Sequence, residues 1–433
     1  MKHKKFRQFS ESSYSVNPEP VTSLATAPST SSSAETSRTP VPPQRVRLTS
    51  LDALRGFDLF LLVGLARIYP QLLEPLKNHF SNTEIWDKLG YQFCSHSDWT
   101  GFTLHDLIMP LFIFMSGATI CFSMAKYKKS DTNPNPSRVR FCFRLVRRIV
   151  LLWIFGMIAQ GNLLALRWQG LRLYSNTLQA IAAGYLIATA CYFLLNKKWT
   201  VVVAVLLMLI FWGVMLIGNA GYAKYDNMAE VIDRTVLGRW MDGVSFNDDG
   251  TWAFSDNYHY TWILSSLTFG VTAISGLLGG MMIKFRHDSG KSGHLTSLYL
   301  IVIGSLCAAA GWFWGKVPVN LFCACPLIKH IWTPSMVLYS SGISYMLLGL
   351  FHEIYDVFHL PLLKTFFVVI GMNSILVYML PNFVDFPQIA RNFVWGLEHH
   401  IGEWYAPLVA FLGFAFTWFF LWALYRSKKF LRL

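Results

Sequence analysis

CSHSDWTGFTLHDLIMPLFIFMSGATICFSM, residues 94–124, decides the fold class. It opens with His96, Asp98, Trp99, His105 and Asp106, and from Leu107 it becomes a largely apolar helix. About 20 such residues cross the hydrocarbon core of a bilayer. Ionisable groups at the mouth of a span are costly unless solvated, paired or used, so such a cluster marks a functional site. The stretch reads as a transmembrane helix whose polar mouth is the entrance to an active site.

Runs of similar length recur on both sides of it. The 433 residues are 53% hydrophobic and only 14% charged, with mean hydropathy +0.38. The predicted fold is an all-α polytopic membrane protein, a bundle of about ten transmembrane helices. Sixteen Trp, 18 Tyr and 34 Phe suit aromatic belts at the two interfaces. The net charge of +13 lies in short loops between apolar spans rather than on one soluble face. It therefore serves orientation, with membrane lipids as partners and no reason to expect nucleic acid.

The predicted spans cover residues 51–72, 102–125, 141–164, 177–195, 200–217, 260–283, 295–315, 334–354, 363–380 and 406–425, with room for an interfacial helix in 386–400. Thr49 or Ser50 can cap the first, with Asp52 in its opening turn. Residues 1–47 are rich in Ser, Thr and Pro with little to bury, and are expected to form a disordered tail. They lack the apolar stretch of a cleaved signal peptide. Residues 48–433 make the membrane domain, and 218–259, its longest hydrophilic connection, a cap with a short helix near 228–236. SGLLGGMM at 275–282 supplies small residues for close helix contact. Lys and Arg concentrate at the flanks shared with the termini, so the positive-inside rule puts both termini in the cytoplasm. His96, Asp98 and Trp99 then face outward, and Arg55, Arg144, Arg147 and Arg148 face the cytosol.

His96 combines an imidazole with a neighbouring carboxylate, Asp98, where a buried site meets an outer compartment. It can take a proton from an amine or hydroxyl nucleophile, or accept an acyl group itself. The competing reading is an interfacial histidine that only bonds backbone. Asp106 suits the positive end of a helix dipole as well as a catalytic role. Arg55 with Arg144, Arg147 and Arg148, the last three expected on one helical face, would seat a phosphorylated cofactor, since guanidinium forks match phosphate. Lipid headgroup contact competes with that. Gln179, Asn373 and Ser374 are uncharged groups that can orient a carbonyl or bond helix to helix. Asp58, inside an apolar span, needs a partner or a cavity.

Of seven cysteines, Cys121, Cys142, Cys191 and Cys307 read as small buried hydrophobes. Cys94, Cys323 and Cys325 share one side, where a disulfide is an option. No cysteine or histidine spacing supports a metal, and no Walker loop, dinucleotide fingerprint or GxSxG elbow occurs.

Several blocks occur in a shared order: RLTSLDALRGF (47–57), HSDWTGFTLHDLIMPLFIFMSGATI (96–120), NTLQAIAAGYL (176–186), KHIWTPSMVLYSSG (329–342) and GMNSILVYML (371–380). Over residues 47–430 the chain resembles the bacterial relatives of lysosomal heparan-α-glucosaminide N-acetyltransferase, within the transmembrane acyltransferase superfamily. The resemblance implies transfer of an acetyl group from cytosolic acetyl-CoA across the bilayer to an amino sugar or glycan, in a bacterial inner membrane. It places His96 on the family's catalytic histidine and Asp106 on its second-helix carboxylate. Two positions depart from the family: Ala66 replaces an Asn near the end of the first helix, and Ala180 replaces the Arg that often follows the Gln of the fourth-helix motif. A transporter or flippase, with Asp58 lining a path, is the rival from another class. Oligomeric state stays open, a homodimer included.

Overall fold

The computed structural model describes residues 48–80, 83–129, 134–217, 221–247, 249–255, 260–318, 321 and 323–431. The predicted tail, 1–47, lies outside them. Helices dominate throughout, as an all-α membrane protein requires. Among the described residues, seven helical segments are long and apolar enough to cross a membrane, or eight if a helix pair bent by 76° counts as one span. The expected ten is therefore matched only in part. The helix Arg138–Ala159 carries five arginines, Arg138, Arg140, Arg144, Arg147 and Arg148. The first helix runs Thr49–Leu59, passes through a π-helical segment Phe60–Leu65, and continues Ala66–His79 with Pro70 and Pro75 inside it. Charge and proline, rather than missing helix, set these two apart.

Burial sorts the spans. His105–Ser123, Thr177–Leu194, Ser265–Asp288 and Pro334–Val357 are mostly enclosed, whereas Lys197–Ile217 is 28% buried at a mean hydropathy of 2.9. An apolar helix left so open has lipid as its solvent. The largest interfaces are Gly293–Gly315 on Pro334–His352, Ile108–Ala118 on Ser265–Asp288, and, equally, Thr49–Leu59 on Lys364–Met372 and Ser265–Asp288 on Thr177–Leu194.

Small residues permit the second of these. A Cβ on Gly276 would run into the carbonyl of Phe114, one on Gly280 into that of Ala118, and one on Gly117 into that of Ala273. The close contact expected of 275–282 is thus present, with the site-bearing helix as its partner. Gly276→Val is expected to cost about 3 kcal/mol or more through overpacking and to remove the monodisperse peak in detergent size-exclusion chromatography. A normal peak and unchanged melting temperature would contradict this packing.

Other local expectations are corrected. Neither Thr49 nor Ser50 caps the first helix; the Asp356 carboxylate does so from another helix, accepting from Thr49 N at 3.0 Å and from Ser50 N at 3.3 Å. The span predicted at 363–380 is broken at Asn373. Cys142 is exposed and Cys307 only half-buried, whereas Cys121 and Cys191 are buried as expected, and Cys94, Cys323 and Cys325 are free thiols. The connection after Ile217 contains the helix Met228–Leu237 and two short hairpins, Tyr222–Ala223 with Asp226–Asn227 and Val244–Phe246 with Trp252–Phe254. Buried Asp233 ties it to the bundle, accepting from Trp262 N at 2.6 Å and Ile263 N at 2.9 Å.

Candidate active site

Asp106 organises the site. It sits in the 3-10 turn His105–Leu107 that starts the central helix, and its side chain is fully buried. Oδ2 accepts from the backbone N–H groups of Ser97 and Thr103, both at 3.1 Å. Oδ1 meets His96 Nδ1 at 2.8 Å and Lys329 Nζ at 3.2 Å. A buried carboxylate is tolerable when every oxygen is partnered and a cation balances it, and both conditions hold here.

The loop before the helix is shaped to deliver this. Gly101 takes φ +132°, a conformation that side chains rarely allow, and donates to Leu327 O at 2.9 Å. That bond fastens the 95–104 loop to the 323–333 loop. The second loop turns sharply through Trp332, at φ 55°, with Thr333 Oγ1 accepting from Ile328 N at 3.1 Å and donating to Pro326 O at 2.8 Å. A non-glycine residue at positive φ is strained and persists only where its surroundings enforce it. Here the turn drives Lys329 into the bundle, 4% exposed, with Nζ 3.0 Å from His96 Nδ1. Burial lowers the pKa of the Lys329 ammonium, and the Asp106 carboxylate beside it opposes that.

His96 is the open member. Its side chain is 42% exposed against 0% for Asp106. With Nδ1 turned to Asp106, Nε2 is the nitrogen left for a reacting group. The His105 ring lies 4.6 Å from that of His96 and its Nδ1 faces Phe93 O at 3.1 Å, which makes it a wall. Trp99 stacks on His330 at 5.5 Å, Tyr260 lies 4.7 Å from the same ring, and Trp99 Nε1 donates to Tyr222 O in the cap. The expected partner, Asp98, is instead exposed. Asp106, ten residues away, takes its place. Lys329 carries no sequence signal of its own beyond its place in the block KHIWTPS.

The arginines divide. Arg55 Nη2 donates to Thr119 Oγ1 at 3.2 Å, and Arg148 lies within electrostatic reach of Arg55. Arg148 stacks over the Tyr185 ring at 4.1 Å and Arg144 over Tyr127 at 5.7 Å. Arg147 is exposed with Phe143, Val146 and Val150, so the three do not share one face. Arg148 Nε and the Oη of Tyr185, whose ring it covers, are buried with no hydrogen-bond partner, as is Thr189 Oγ1, one helical turn from Tyr185. Buried polar atoms are normally satisfied, so these three have bonding capacity that the protein itself does not use. Tyr185 and Thr189 gave no sequence signal beyond helical spacing.

Gln179 and Asn373 have other work. Gln179 Oε1 accepts from Ser175 N and Asn176 N, and its Nε2 donates to Leu173 O, closing a capping box. Asn373, at the helix break, accepts from Leu431 N at 3.0 Å and donates to Lys429 O. Ser374 is half-buried beside it. Among the described residues no group of His, Cys, Asp or Glu is arranged to hold a metal.

Fold and site together define a multi-pass membrane protein with a histidine–carboxylate–lysine centre at one end of its bundle. Residues 47–239 match the model of a domain of unknown function, DUF5009. The chain is a distant relative of heparan-alpha-glucosaminide N-acetyltransferase from Mus musculus, 23% identical over 77% of this chain and 53% of that protein. The Homo sapiens protein of the same name is also 23% identical, over 77% of this chain and 52% of its own length. The chain spans about half the length of the curated relatives it matches.

Proposed function

We propose that this protein is a transmembrane acyltransferase that moves an acetyl group from acetyl-CoA to an amino sugar or glycan received at His96. The observation carrying this reading is the buried Asp106 that holds one ring nitrogen of a half-open His96 and is balanced by Lys329. That is the geometry of a general base held in orientation by a carboxylate. The likeness to curated N-acetyltransferases supports the same chemistry. Acetyl-CoA supplies the thioester. Arg55 and Arg148 would hold its phosphates, with Tyr185 and Thr189 turned to its polar groups. Thr119, where Arg55 is bonded, is 13 residues past Asp106 in chain number, about 20 Å along a helix. An extended arm reaching from the arginines to His96 has that distance to cover.

At the other end His96 Nε2 takes the proton as an amine attacks the acyl carbon. The carbon–sulfur bond breaks, and the proton passes to the departing thiolate. Trp99 and Tyr260 offer ring faces for a sugar. The positive-inside argument puts the arginine end in the cytoplasm and His96 on the periplasmic face of a bacterial inner membrane. The test is release of free thiol from acetyl-CoA by purified protein across a panel of amino sugars. No thiol release with any acceptor would overturn the reading. It would favour the transporter alternative, which draws on Asp58, fully buried with neither carboxylate oxygen bonded.

The arginine seat gives a separate expectation. Arg148→Gln should raise the KM for acetyl-CoA about tenfold or more while changing kcat less, because a charged hydrogen bond is worth about 1.5–3 kcal/mol. An unchanged KM in steady-state assays would remove Arg148 from the donor site.

A further inference from the structure

A carboxylate is enough to orient a histidine, yet this site adds a buried cation. His96 Nδ1 and Lys329 Nζ both reach Asp106 Oδ1, at 2.8 Å and 3.2 Å, and lie 3.0 Å from each other. An ammonium has only protons to offer. If Nδ1 accepted one of them, its lone pair would also face Oδ1 at 2.8 Å, acceptor against acceptor. Nδ1 therefore carries a proton and donates it to Asp106, and Lys329 is a second donor to that oxygen rather than a partner of the ring.

The charges around the ring are few. Asp106 is fully buried and the Lys329 side chain is 4% exposed, so the two balance each other away from solvent. Beside Asp106 stands His105, its ring 4.6 Å from that of His96 and its Nδ1 at Phe93 O. The 323–333 loop adds His330, stacked on Trp99, and Tyr260 lies against His330 within electrostatic reach of Asp106. Asp98 is exposed, where water and salt screen it. One buried negative charge thus faces one buried positive charge. A proton added to His96 makes a second cation with no second buried carboxylate to meet it, and like charges this close repel strongly in a low dielectric.

We infer that Lys329 is a positioning residue that sets the charge of His96: as the compensating cation on Asp106 it keeps the imidazole neutral, with Nε2 free as the base, and it drives out the proton once taken. This rests on the acyl transfer proposed above, in which the nitrogen–carbon bond forms, the carbon–sulfur bond breaks and the amine's proton crosses His96 to the departing thiolate. With Lys329 charged, the protonated ring is the unstable member of that sequence, so the proton moves on to sulfur. Without Lys329, Asp106 draws a proton onto His96 instead, and the ring rests as imidazolium, which is no base.

The test reads the ring itself. Diethyl pyrocarbonate acylates neutral imidazole, so the pH dependence of carbethoxylation at His96 reports its charge with no turnover needed. It is followed by mass spectrometry of the His96 peptide from full-length protein in membranes. Lys329→Gln keeps a donor for Asp106 Oδ1 but not the charge, and is expected to raise the midpoint by about one pH unit or more, a reaction about tenfold slower at fixed pH below it. Lys329→Arg restores the charge and should stay within about half a unit of the unsubstituted protein. The Asp106→Asn/Lys329→Gln double variant, with both charges gone, should return toward the original midpoint. In assays of acetyl transfer, the acid limb of kcat/KM should move with the Lys329→Gln midpoint. A Lys329→Gln midpoint that does not move, or an equal rise in Lys329→Arg or in the double variant, would overturn the inference and leave Lys329 a packing group. The expected shifts in a protein that transfers no acetyl group would uphold it while removing the acyltransferase reading.

Discussion

Replacing His96 with Ala is expected to lower the rate of acetyl transfer about a thousandfold or more, with the protein still folded. General acid–base catalysis by a placed side chain contributes about 10²–10⁴ in rate, and nothing else in the site can take over. His105 is committed to Phe93 O. Lys329 is enclosed and engaged by Asp106. Because the His96 side chain is 42% exposed, its loss leaves little cavity and the melting temperature should hardly move. KM for acetyl-CoA should also hold, since the donor's phosphates would sit at the arginine end. Turnover and melting curves measured side by side separate the outcomes: a fully active His96→Ala protein would make this imidazole a surface group.

The second large effect concerns the buried pair. Removing one partner of an enclosed ion pair strands the other charge and costs about 3–5 kcal/mol, whereas replacing both with apolar groups is often neutral. Asp106→Ala should therefore lose both stability and turnover, because it leaves Lys329 unbalanced, frees the N–H groups of Ser97 and Thr103, and releases the His96 ring. Adding Lys329→Met to Asp106→Ala should recover much of the melting temperature but none of the activity. A double variant as unstable as the single would mean that Lys329 does not balance Asp106. Recovery of activity would mean that His96 needs no carboxylate.

Class and helix positions were legible because apolar length and polar punctuation are local properties. His96 and Asp106 were legible because charged groups at the mouth of a span stand out. Their pairing was not, since chain proximity favoured Asp98 and the loop folds so that Asp106 reaches back ten residues. Lys329 lies more than two hundred residues from His96, and only the Trp332 turn brings it inward. For the same reason Asp356 as the cap of the first helix could not be foreseen. The arginine row failed on geometry: Arg144 and Arg148, four apart, share a face, whereas Arg147 is turned about 100° from Arg148 in an ideal helix and is exposed. The break at Asn373 is written in a hydrogen bond to the far end of the chain, which no local pattern shows.

The most direct test uses protein reconstituted in sealed vesicles, with orientation fixed by labelling a single cysteine. Labelled acetyl-CoA is supplied on the Arg55 side and an amino-sugar acceptor is enclosed on the His96 side. The account predicts acetylated sugar inside and free thiol outside in equal amounts, both lost with His96→Ala. Sugar acetylated only when it shares the donor's compartment, or carried across with no thiol released, would contradict it.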